Sequence, residues 1–129
     1  MRTFWRGDRV QRAADRATRE YLFRGAGLIR KIARGSIRRR KNPDRSSPRG
    51  RPPHTHTGQL KRALAFMADP ANNRAIIGPR RSIVGRSGRA HEFGGRFRGD
   101  RYPRRPFMGP ALDSARDDLA RIWRDAVRR

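Results

Sequence analysis

Arg105-Pro106-Phe107-Met108-Gly109-Pro110-Ala111-Leu112 divides the chain into two unlike parts. Upstream lies a middle rich in Gly, Arg and Pro, and downstream runs an amphipathic segment. Proline fixes φ and lacks an N–H, so neither Pro106 nor Pro110 belongs inside a strand ladder or a helix interior. Pro110 suits the first helical position, where the missing donor has no partner to lose. Phe107 and Met108 are the large apolar side chains between the two prolines. The stretch predicts an extended anchor that docks Phe107 and then launches a helix.

Downstream, residues 110–127 predict that helix. Leu112, Ala115, Leu119, Ile122, Trp123 and Ala126 recur at steps of three and four, the spacing of one buried face. Asp113 in the first turn and Arg128 and Arg129 at the end suit the helix dipole. The segment is nearly neutral and is expected to lie flat on a sheet.

Upstream, residues 58–109 predict a β-rich core. Thr57 is placed to cap a short helical turn through Leu60 and Leu64. Two apolar runs, 65–68 and 75–79, flank Asp69-Pro70-Ala71-Asn72-Asn73 and predict a hairpin. Ser82-Ile83-Val84 reads as a brief strand, 90–95 as a helical turn stopped by glycine, and 97–102 as a further strand or edge ribbon.

At the other end, residues 7–34 predict a helix with an apolar stripe of Val10, Ala14, Ala17, Tyr21, Leu28 and Ile32. Each of its acids precedes an arginine by four residues: Asp8–Arg12, Asp15–Arg19 and Glu20–Arg24. Gly25 and Gly27 are expected to kink or split it. Residues 35–57 read as a basic, proline-rich arm, with Arg38, Arg39, Arg40, Lys41, Arg45, Arg49 and Arg51 set among Pro43, Pro48, Pro52 and Pro53. Arms of this composition gain order against a partner. The whole is expected to be one α+β domain over residues 1–129.

Composition narrows the function. The 129 residues carry 34 basic and 11 acidic side chains, a net charge of +23. Leu, Ile, Val and Phe number 22, few enough that folding is expected to lean on neighbours. Arginine dominates the basic residues, which fits either a GC-rich genome or phosphate recognition by the guanidinium fork. With no cysteine, disulfides and cysteine zinc sites are excluded. No apolar run has the length of a membrane span, and the chain is expected to be soluble and cytoplasmic when made.

Catalytic signals are weak. His54, His56 and Glu92 are too scattered for a metal site, no nucleophile elbow occurs, and neither GxxxxGK[ST] nor GxGxxG is present. No cofactor and no enzyme activity are expected. Nonspecific nucleic-acid binding, by a nucleoid- or ribosome-associated protein, is the alternative: a pI near 12.0 is its electrostatic footprint. Phe93, Phe97 and Tyr102 among the arginines would stack on bases.

Three motifs stand in order: Thr57-Gly58-Gln59-Leu60-Lys61-Arg62-Ala63-Leu64, then His91-Glu92-Phe93-Gly94-Gly95, then Arg105 to Leu112. With a basic helix before them and an amphipathic one after, the layout resembles the neck or tail-completion proteins of long-tailed bacteriophages, minor tail components that join head to tail. The likeness covers roughly residues 55–120 by motif. It departs from the pattern at Arg89-Ala90, where the family often has Tyr-Ala, and in the strongly basic arm.

The resemblance implies an α+β subunit with an N-terminal amphipathic helix, a small antiparallel sheet with hairpins and a C-terminal helix packed on it. It implies a homo-oligomeric ring, hexamer or dodecamer, between the portal and the tail tube. Such a protein resides in the virion, is assembled in the host cytoplasm, and has no catalytic role. Its partners would be portal-adaptor, neck and tail-tube proteins, with packaged DNA in the lumen and no membrane. The packing set carried by the motifs is Thr57, Gly58, Leu60, Leu64, Glu92, Phe93, Gly94, Arg105, Pro106, Phe107, Pro110 and Leu112. Within it Phe107 and Leu112 would seat the last helix and Glu92 would pair with an arginine. The arm cations from Arg38 to Arg51 would meet an adjacent subunit, an acidic neck protein or passing DNA.

Overall fold

The computed structural model describes residues 6–42 and 44–129. Its frame is a pair of long helices drawn from opposite ends of the chain, α1 (Gly7–Ser36) and α5 (Met108–Arg128). They run antiparallel: Tyr21 meets Trp123 edge to face at 5.3 Å, and Arg129 at the end of α5 pairs with Glu20 at 3.2 Å. Between them lie β1 (Arg38–Arg39), β2 (His54–Thr55), α2 (Gln59–Ala63), β3 (Leu64–Asp69), β4 (Arg74–Pro79), α3 (Arg81–Val84), α4 (Ser87–Phe93), β5 (Gly95–Phe97) and β6 (Asp100–Tyr102).

The expected α+β class holds, and the strands form three separate two-stranded ladders among the described residues. The predicted hairpin is β3–β4, antiparallel, with Met67 opposite Ile76 and Phe66 opposite Ile77. Its turn is closed by Asp69, whose carboxylate accepts from Asn72 Nδ2 at 2.8 Å and Arg74 Nε at 3.0 Å. Asn73 adopts φ 49° there, a conformation asparagine tolerates better than most residues. β5–β6 is the ribbon expected at 97–102, begun two residues earlier; the Phe97 side chain lies outside the described residues.

α1 is one unbroken helix, so Gly25 and Gly27 do not split it. Their role is close approach. A Cβ at Gly25 would stand 2.9 Å from Leu119 Cδ2, and one at Gly27 would touch the Phe66 ring. α1 therefore presents Ala17, Gly25, Ala26, Ile29 and Ala33 inward, while Val10 and Ala14 of the expected stripe are exposed. α5 answers with Ala111, Ala115 and Ala126. Leu112 is 45 % exposed, so it does not seat the helix as expected. At Gly25 the approach of Leu119 leaves no room for a side chain. Along α1, Asp8–Arg12 and Glu20–Arg24 form at 2.6 and 3.1 Å, whereas Asp15 takes a hydrogen bond from Gln11 and leaves Arg19 aside.

The core cluster is Ile29, Ala33, Ile37, Leu60, Leu64, Phe107, Ala111 and Ala115, with Ile77 and Leu119 packed against it. α5 thus shares the core with the hairpin at its first turns, and lies along α1 beyond them. The largest fully enclosed side chains are Phe107, Ile37, Leu64 and Pro53. That is a thin interior for a chain of this length.

Two further expectations fail. Ser82-Ile83-Val84 is not a strand: Ile83 and Val84 donate to the Arg80 carbonyl and Gly85, at φ 59°, stops the turn. The arm is not an extended tail. Its two ends pair in parallel, Arg38 with His54 and Arg39 with Thr55, and the intervening loop is tied back to the body. Pro43 lies outside the described residues.

Candidate assembly site

The three sequence motifs converge on Phe107. The first forms α2 and the start of β3, placing Leu60 and Leu64 in the cluster that encloses Phe107, which is 1 % exposed. Gly58 begins α2 at φ 81°, with its amide donating to the buried Thr55 hydroxyl at 3.0 Å. Thr57, the expected cap, contributes only a longer contact to Gln59 N at 3.3 Å. Thr55 escaped notice because nothing in the sequence separates it from the polar arm around it.

The second motif supplies a cap for the third. Glu92 Oε2 accepts the amides of Phe107 at 2.8 Å and Met108 at 2.9 Å, and Oε1 accepts that of Gly109 at 2.9 Å. α5 begins at Met108, two residues before the position expected, so Pro110 is its third residue rather than its first. A missing N–H there still has no intrahelical partner to lose. The expected Glu92–Arg ion pair is absent among the described residues. Glu92 instead satisfies three donors at a helix N-terminus, where a carboxylate also complements the dipole.

Gly94 ends α4 at φ 73°, and a Cβ on it would come within 3.4 Å of Tyr102 O and Arg104 N. That close approach lets residues 104–106 run back along α4, with Arg105 N donating to His91 O at 2.6 Å. His91 is held below the ordinary histidine pKa, first by burial and second by the nearby Arg105 charge. Pro106 is half-buried beside Phe107. Gly88 is buried, and a Cβ on it would collide with Pro79 at 2.4 Å, so α4 rests directly on the hairpin's end.

Around this junction opens a groove of about 840 Å³, whose lining includes Ile77, Pro79, Arg89, Phe93 and Met108. Phe93 is 70 % exposed. On the hairpin's outward face the cross-strand partners Met67 and Ile76 are 61 % and 53 % exposed. Phe66, on the opposite face, is covered by Phe23 at 5.3 Å.

The basic residues of the arm occupy the loop between β1 and β2. Arg38 and Arg39 lie in β1, and Arg40, Lys41, Arg45, Arg49 and Arg51 are exposed on the loop. Gly50 N donates to Arg104 O at 2.9 Å and Arg105 Nε to Ser47 O at 2.6 Å. His56 meets the Arg40 carbonyl at 2.9 Å, well apart in role from the capping Glu92. Among the described residues no cluster of three His, Asp or Glu side chains could hold a metal, and no helix is long and apolar enough to cross a membrane.

Comparison with family models, with curated proteins and with solved structures returns no match to this chain.

Proposed function

We propose that this chain is a structural subunit of the neck of a long-tailed bacteriophage, closing into a homo-oligomeric ring that joins the head connector to the tail and completes the tail end. The motif likeness suggests the class. The observation that carries it furthest is the unpartnered apolar face of β3–β4, where Met67 and Ile76 stand side by side in solvent. An exposed cross-strand pair on a ladder that has two strands among the described residues invites a neighbour. A thin core makes that neighbour useful, because burial in an interface adds what the interior lacks. A hexamer or a dodecamer satisfies closure.

The same chain carries +23 charges, so copies repel one another. Ring formation is therefore expected to strengthen with salt, which screens that repulsion. Native mass spectrometry and light scattering across ionic strength test this. A sixfold or twelvefold species that grows with salt and is lost in Met67→Asp supports the ring. A persistent monomer that binds DNA with a steep salt slope favours instead a nonspecific nucleic-acid-binding protein. In either case the chain acts by shape and charge and performs no reaction.

A further inference from the structure

We propose that the cavity beneath the β1–β2 loop is a phosphate site that receives the phosphodiester backbone of a nucleic-acid strand. The cavity has a volume of about 950 Å³ and is bordered by Arg40, Lys41, Arg45, Arg49 and Arg105, with Asp44 as its one acid. Among the described residues none of the first four is ion-paired, so their charge is unspent. Elsewhere on the surface several cations are matched, as Arg12 is by Asp8 and Arg121 by Asp118.

A second, independent observation comes from the lining. Ser47 is 3 % exposed, and its hydroxyl has no hydrogen-bond partner; neither has Nδ1 of His54. Both residues border this cavity. Buried polar atoms are nearly always satisfied, and an unmet pair beside a group of free cations points to an anion with oxygens to spare.

The loop is also fixed before any ligand arrives. It is pinned at its base by the β1–β2 ladder, at Gly50 by the Arg104 carbonyl and at Ser47 by the Arg105 guanidinium. Binding then orders little that was not already ordered, unlike a polycationic tail. Four unpaired cations outnumber the charge of one free phosphate and suit consecutive phosphates of a strand. The site is complete within one protomer and stands whether or not the ring forms.

The test uses the full chain and a labelled short DNA duplex, titrated over a range of salt. Arg45→Ala with Arg49→Ala is expected to weaken binding about tenfold and to flatten the log–log salt slope by about 2. Arg9→Ala with Arg19→Ala removes the same charge from α1 and is expected to cost less than about threefold. Equal losses in the two pairs would mean that binding follows net charge, and would overturn the site. Ser47→Ala, which leaves charge unchanged, is expected to weaken binding about threefold at constant slope; no change overturns the cavity as the contact. Inorganic phosphate should displace the duplex no better than chloride at equal ionic strength. Displacement beyond that control assigns the cavity to free phosphate, and stronger displacement by polyglutamate assigns it to an acidic protein; either overturns the strand. Mass photometry on the same samples reads assembly, so a failed ring and a failed site register separately.

Discussion

The junction around Phe107 and the loop between β1 and β2 are both irregular in sequence, yet they are held by opposite means. At the junction, order comes from enclosure: Leu60, Leu64 and Ala111 surround the ring, and a single carboxylate gathers three amides. In the loop, order comes from the backbone: a two-rung parallel ladder and tethers to Arg104 and Arg105. Its enclosed side chains are Ile37, Pro53 and Thr55 at the root and the small Ser47. The first arrangement stores stability and the second holds charge in place at little energetic gain. Damage to one should unfold the protein, and damage to the other should only loosen it.

The sharpest way to break that contrast is Phe107→Ala. Loss of a fully buried aromatic is expected to cost about 3–5 kcal/mol, read from chemical denaturation; a cost below about 1 kcal/mol would show that the junction is not the centre of the core. Next comes Glu92→Ala. Stripping the cap from α5 is expected to cost about 1–2 kcal/mol, with hydrogen exchange rising first at Phe107, Met108 and Gly109. A smaller effect, about 1 kcal/mol or less, is expected from Arg105→Ala. Here the amide of Gly50 and its loop neighbours should exchange faster while those of α1 keep their protection. Equal acceleration in both would erase the distinction between the two regions.

The mildest probe is pH. Because burial and then Arg105 lower the His91 pKa, the folded state disfavours its protonation. The stability linked to neutral His91 is complete above the ordinary histidine value of about 6.5 and is lost as pH falls through the lower folded value. Thermal midpoints measured from pH 7 down to 5 should decline more in the native chain than in His91→Asn. Asp69 acts in a separate window. Its pKa is lowered by hydrogen bonds from Asn72 and then Arg74, so its contribution is present above about pH 4 and fades below that.

Much of this was legible in the residues. The Pro-bounded anchor, the hairpin around Asp69–Asn73 and both long helices follow from proline chemistry and periodicity. The helix faces are legible at Ala17, Leu28, Ile32, Ala115, Leu119 and Ala126, which are buried or packed on the core. They are not legible at Val10, Ala14 and Leu112, because periodicity does not show the close approach that Gly25 allows. The cap was missed because Glu92 lies 15 residues before the first amide it serves. A trace of it existed: Phe107 stands at the cap position without a side-chain oxygen, so the donors of α5 required an acceptor from elsewhere. The loop reads as a tail because its tethers end on backbone atoms, Gly50 N and Ser47 O, which no side-chain pattern announces.

The pairing of α1 with α5 has a consequence for how the chain is made. The two helices are the first and last of the described elements, so their contact closes a loop that holds every element between them. Such a connection forms late and slowly, since its entropy must be met before any contact rewards it. During synthesis α1 is made before α5, and its alanine face stays uncovered until α5 follows. We expect chains that lack α5 to be cleared by proteolysis, because the face of α1 that α5 covers would stay exposed.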